Sequence, residues 1–196
     1  MTAAIIAIAI LAALAAVGIA FYNNLTKLRE RTRTAFSQID VQLERRYDLI
    51  PNLVNVAQRY LTHEQETLTG VIAARASATQ ARIEVAGDPS NVDAMRNLSS
   101  ADGNLGAALG RLLAVSEQYP ELKADRTMSE LTEEVRNTEN RVSFARQAYN
   151  DETRIYETYR QSFPQIVIAK TTGFEPFAYL DATSDEARER VEVTFN

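Results

Sequence analysis

The single histidine, His63, is followed directly by Glu64 and, three positions on, by Glu66. On a helix, a His-x-x-Glu pair puts an imidazole and a carboxylate on one face. Carboxylate-bridged metal sites in helical bundles use this arrangement, but they need two such pairs and further carboxylates from other helices. Only one pair occurs here. A serine-hydrolase triad would have to recruit the same histidine, without any nucleophile-elbow sequence to go with it. With no cysteine in the chain, thiolate metal sites, cysteine nucleophiles and disulfides drop out together. The expectation is a structural, hydrogen-bonded histidine, with no catalytic residue, no metal and no cofactor.

Charged residues on apolar stripes are more informative. At 100° per residue, Arg46 falls with Ile39, Leu43, Ile50 and Leu53, while Glu139 and Arg146 fall with Val135, Val142 and Tyr149. A charge on a buried stripe must be paired. Ion pairs between helices are therefore expected, with Arg46 to Glu139 and Arg146 to Asp40 or Glu64 as first candidates. They would fix register between helices or protomers. The alternative is that the long arginine stems pack while their heads reach water.

On the other face, Asp40, Glu44 and Asp48 form a row at i, i+4 and i+8 that weakens an isolated helix unless cations approach it. Arg45, Arg136 and Arg141 are candidate neighbours. A solvated face is the default reading, with a docking surface or a divalent-cation site as alternatives. Gly103, Gly106 and Gly110 share one helical segment, each costing about 1 kcal/mol relative to Ala. Close helix packing, within the bundle or between subunits, is the expected compensation.

Helices must position these groups, and the first belongs to a membrane. No side chain from Met1 to Thr26 is charged, and Ala3 to Tyr22 is a twenty-residue apolar run ending in two aromatics. Such a helix spans the roughly 30 Å hydrocarbon core, with its aromatics suited to the interface. A cleaved signal peptide is the rival, with Gly18-Ile19-Ala20 as a weak site, but it lacks a basic n-region; a retained anchor is expected. Lys27, Arg29, Arg31 and Arg33 follow, against one Glu30. They predict a single-pass protein with a short N-terminus outside and a cytoplasmic C-terminal domain, and they could touch anionic headgroups. Ala12, Ala16 and Ala20 form a small-residue row on which anchors could self-associate.

Three amphipathic patterns follow. The first carries Phe36, Ile39, Leu43, Tyr47, Ile50, Leu53, Val54, Ala57, Leu61 and Leu68. The second carries Leu98, Ala101, Leu105, Leu109, Leu112 and Val115, and the third runs from Met128 through Val135, Val142, Tyr149 and Tyr156 to Phe163. The punctuation lies at Gly87 to Ser90, Tyr119 to Asp125 and Ser162 to Pro164. The first pattern is too long for its neighbours to cover. Pro51 removes a helical hydrogen bond and costs about 3 kcal/mol in a helix interior, whereas Asp48 could cap a helix that starts at Leu49. A break there is favoured over a kinked continuous helix, although the apolar stripe keeps phase across Pro51. The predicted fold class is all-α: an anchor over residues 1–23, an up-and-down four-helix bundle over 24–180, and an acidic tail over 181–196.

The stretches FSQIDVQLERRYDLIPNLV (36–54), RYLTHEQETLTGVIAAR (59–75), GAALGRLLAVSEQYPELKAD (106–125), ENRVSFARQAYNDETRIYE (139–157) and FPQIVIAKTTGF (163–174) resemble the LemA family. The resemblance covers most of residues 20 to 180 and leaves the acidic tail outside. It implies a single-pass bacterial membrane protein with a helical-bundle soluble part, associated with the cell envelope and with membrane-bound proteolysis or stress partners. It implies no settled catalytic activity. Formal charge is −5 and the pI about 5.1, and no clustered basic face argues for nucleic acid. The functional expectation is a non-enzymatic, homo-oligomeric scaffold or interaction module at the cell envelope, in contact with lipid. An adaptor for another membrane protein, such as a protease, is the alternative; a metal-binding enzyme is a distant third.

Overall fold

The computed structural model describes residues 1–180; the acidic tail at 181–196 lies outside the described residues. Six helices follow one another: α1 (Thr2–Gln58), α2 (Gln65–Gly87), α3 (Val92–Ser116), α4 (Pro120–Lys123), α5 (Arg126–Gln161) and α6 (Gln165–Thr171), with no strand among the described residues.

The main departure from expectation is at Pro51. α1 is one helix of 57 residues with Pro51 inside it, about 85 Å long at 1.5 Å per residue. Asp48 caps nothing, and no break occurs there. Two effects outweigh the cost of the proline. The stripe continues in phase, so that Ile50, Leu53 and Val54 are all buried, each contributing about 1.5–3 kcal/mol. The carbonyl of Tyr47, which Pro51 deprives of its helical donor, accepts instead from Arg75 Nε at 2.7 Å.

The first reversal falls at 59–64, a stretch without glycine or proline. There Leu61 N–H still bonds to the Ala57 carbonyl and the Leu61 side chain is wholly buried. Tyr60 donates its hydroxyl to Asp125 at 2.9 Å, and Asp125 in turn caps α5 by accepting from Met128 N–H. The remaining starts obey local rules: Asn91 caps α3 by accepting from the amides of Asp93 and Ala94.

Paired contacts give the directions. Arg75 meets residues 47–48 of α1 and Arg82 meets 40–44, so α2 runs back along α1. Glu134 meets Arg45, and Tyr149 meets Phe36 with ring centroids 5.9 Å apart, so α5 is also antiparallel to α1. One continuous core is built from the apolar stripes of α1, α2, α3 and α5. A smaller cluster of Leu25, Leu28, Tyr156, Ala169, Phe174 and Phe177 lies along the part of α1 that directly follows the apolar run. The expected stripe on α5 holds as far as Tyr156, but Phe163 is 84% exposed.

Residues 174–180 are pinned along α5 by side-chain hydrogen bonds. Tyr149 and Tyr156 donate to the carbonyls of Ala178 and Glu175. Asn150 bonds both the amide and the carbonyl of Leu180, and the buried Glu157 accepts from the Phe177 amide.

The glycines of α3 do not mediate close packing within the chain. A Cβ on Gly103 or Gly110 would meet nothing within 4 Å, and one on Gly106 would meet only the Arg46 guanidinium at 3.8 Å. Both Gly103 and Gly110 are exposed.

Candidate functional site

The charged stripe residues converge where α1, α3 and α5 meet. Asp102 of α3 is their common partner. Its carboxylate accepts from Arg46 Nη1 at 3.3 Å to each oxygen, from Arg146 Nη2 at 2.6 Å and from the Tyr47 hydroxyl at 2.9 Å. All four side chains are largely buried: Arg46 is 4% exposed, Asp102 5% and Arg146 13%, and Tyr47 is in the core. Burial, with the Asp102 carboxylate beside it, pushes the Tyr47 hydroxyl far above its ordinary ionisation range.

Glu139 approaches Arg46 at 3.8 Å from a position 59% exposed. It lies at the rim of a cluster whose centre is elsewhere. Arg146 pairs with neither Asp40 nor Glu64. Asp40 is held by Arg82 at 2.9 Å, and Glu64 accepts from the Tyr119 hydroxyl at 3.4 Å.

Asp102 was missed because only the apolar members of the α3 row were read from the sequence. A signal existed, since Asp102 stands four positions after Leu98 and beside Ala101, on the buried side of the helix. Two buried guanidiniums around one carboxylate form a lock: each helix contributes a charge that is costly to bury unless the other helices hold their register.

Glu44 and Asp48 of the acidic row are exposed, as on a solvated face, and the arginines that approach the row are not the candidate ones. Arg82 reaches Asp40 and Glu44, at 2.9 and 3.6 Å, and Arg75 reaches Asp48 at 3.9 Å. Both arginines lie on α2, seven residues apart, so their heads fall on one face opposite the row. Arg45 instead bridges to Glu134 of α5 at 2.6 Å. His63 is exposed in the connection after α1, and Glu66 is exposed at the start of α2. Among the described residues no group of three or more His, Asp or Glu side chains is placed to hold a metal ion.

At the other end, α1 contains a stretch long and apolar enough to cross a membrane, with none of it buried inside the chain. Ala12, Ala16 and Ala20 are exposed on it. Of the four cations that follow, Lys27, Arg31 and Arg33 are exposed. Arg29 is folded back, with its guanidinium 5.0 Å from the centroid of the Phe174 ring and its Nε 3.5 Å from Glu30.

The profile of the LemA family matches residues 35–195. The chain belongs to the LemA family. That match takes in the acidic tail, which the sequence resemblance had left outside. Similar proteins include magnetosome proteins MamQ 1 and MamQ 2 of Paramagnetospirillum magneticum, each 27% identical over 173 residues, and magnetosome protein MamQ of Magnetospirillum gryphiswaldense, 25% identical over the same length. In each case 81% of this chain aligns, and it spans 64% of the relative's length. In this LemA-family chain it is the apolar N-terminal stretch of α1 that points to membrane association.

Proposed function

We propose that this LemA-family chain is a single-pass membrane protein that acts without catalysis, as a homo-oligomeric scaffold held on a rigid stalk. The observation that carries this reading is the continuity of α1, one helix from the apolar run into the packed core. A span and a domain sharing one helix have a fixed relative orientation, which suits a protein that presents a surface at a set distance and angle from a bilayer.

In this reading α1, α2, α3 and α5 act as an up-and-down four-helix bundle, with the Asp102 cluster holding its register. The cations at 27–33 keep the bundle on the cytoplasmic side, leaving the short N-terminal end outside. The exposed alanine row offers a face for close approach of neighbouring anchors.

The test is the mass and shape of the full chain in mild detergent, by light scattering and particle imaging. A symmetric multi-copy particle is expected. A strictly monomeric one would remove the scaffold.

A further inference from the structure

α6 lies beside the last turns of the apolar run, not beyond them. Ile168 Cδ1 stands 3.9 Å from the position that a Cβ on Gly18 would take. The Tyr22 and Phe174 rings meet edge to face at 5.4 Å, and Ala169 shares a buried cluster with Leu25. Gly18 is four residues before Tyr22, about 6 Å deeper along the helix. Whatever medium surrounds α1 at that level therefore surrounds α6 as well.

The corner between α5 and α6 is built for an apolar medium. Phe163 is 84% exposed and Val167, four residues on, is 53% exposed. Pro164 between them is also exposed. The exposed Lys170 follows on α6, where its stem can reach the headgroup level. An aromatic and a branched aliphatic side chain facing outward beside a spanning helix, with a lysine next to them, fit the boundary between headgroups and acyl chains.

We propose that the α5–α6 corner is a second membrane contact, with Phe163 and Val167 inserted in the lipid interface beside the anchor. This rests on the reading of α1 as a membrane span. With α1 spanning the bilayer and the α5–α6 corner resting in its interface, the bundle is held upright at two points instead of swivelling on one.

The chain contains no tryptophan, so Phe163→Trp gives a single reporter at an exposed site where the exchange threatens no packing. Full-length protein is reconstituted into vesicles of equal parts dioleoyl phosphatidylcholine and dioleoyl phosphatidylglycerol, and into the same mixture brominated on the acyl chains. Leu11→Trp reports the anchor. Phe144→Trp reports an exposed site on α5, 72% accessible, about 26 Å along the helix from the end of α5 that leads into Phe163.

Interfacial insertion reaches about 5–10 Å, so emission from Phe163→Trp is expected to fall about twofold in the brominated vesicles. Leu11→Trp should fall at least as much, and Phe144→Trp should not change. If Leu11→Trp is quenched and Phe163→Trp is not, the corner does not touch lipid and the proposal fails while the anchor stands. If neither is quenched, the anchor reading fails and takes the proposal with it. Quenching of Phe144→Trp to the same degree would mean that the whole bundle lies on the membrane, which also overturns a contact confined to the corner.

Discussion

Arg75 donates its Nε–H to the carbonyl of Tyr47 across 2.7 Å, and that carbonyl is the one Pro51 leaves without its helical donor. A side chain from α2 thus repairs α1 and ties the two helices at the same point. Arg75→Ala is expected to destabilise the full chain in detergent by about 1–3 kcal/mol, the cost of an orphaned buried carbonyl. Pro51→Ala restores an N–H at the fourth position after Tyr47, so the same Arg75 change should cost clearly less in that background. A double-mutant cycle in urea measures this coupling. Equal costs in the two backgrounds would show that Arg75 does not compensate for the proline.

Asp102 is the residue on which the buried cluster depends. Asp102→Ala leaves the guanidiniums of Arg46 and Arg146 facing each other with only the rim carboxylate of Glu139 nearby, and removal of one partner of a buried pair costs about 3–5 kcal/mol. Glu139→Ala, at an exposed position, should cost less than about 1 kcal/mol. Replacing Arg46, Asp102 and Arg146 together by Met, Leu and Met should cost far less than Asp102→Ala alone, because no unpaired charge is then buried. Urea midpoints of the three variants check this order. Similar losses for Asp102→Ala and Glu139→Ala would contradict it.

Arg82 sits between Asp40 and Glu44 and cancels the repulsion of the acidic row. Arg82→Glu is expected to lose about 2 kcal/mol or more, as a charged hydrogen bond gives way to three neighbouring carboxylates. Reversal of the facing partner, Asp40→Arg, should recover a large part of that loss in the double variant. Thermal unfolding of the two single variants and the double one is the measurement, and absence of recovery would mean that the pairing is incidental.

Alkaline pH should loosen the strap formed by residues 174–180. Burial pushes Tyr149 and Tyr156 from the ordinary value of 10.0 up to about 12. A raised tyrosine value means that folding favours the neutral phenol. The stability it contributes is intact below pH 10 and is lost as the pH rises through the folded-state value. Between those limits each tyrosine should subtract about 1.4 kcal/mol per pH unit. The urea midpoint is expected to be flat up to about pH 10 and then to fall, with a shallower slope in Tyr149→Phe and Tyr156→Phe. An unchanged slope in both variants would place the alkaline transition elsewhere.

Much of the helical content was legible because amphipathic periodicity is a local property. The stripe on α1 from Phe36 to Ala57 is buried at the positions its spacing marks. The reversal at 59–64 was illegible for the converse reason. It carries no glycine or proline, and its turn is held by remote groups, namely Tyr60 on Asp125 and Leu61 in the core. The louder signal at Pro51 was overridden by a guanidinium from the next helix.

By itself, then, the sequence determined the all-helical class, the apolar span, the stripes and the rule that Arg46 and Arg146 must find a carboxylate, since each follows from the spacing and chemistry of nearby residues. Tertiary structure alone decided that this carboxylate is Asp102, that Arg75 and Arg82 neutralise the α1 row and that α6 lies beside Gly18. These are contacts between distant segments. Which of several compatible partners meet depends on how whole helices pack in register, and that is set by the summed burial of their faces rather than by any one residue's preference.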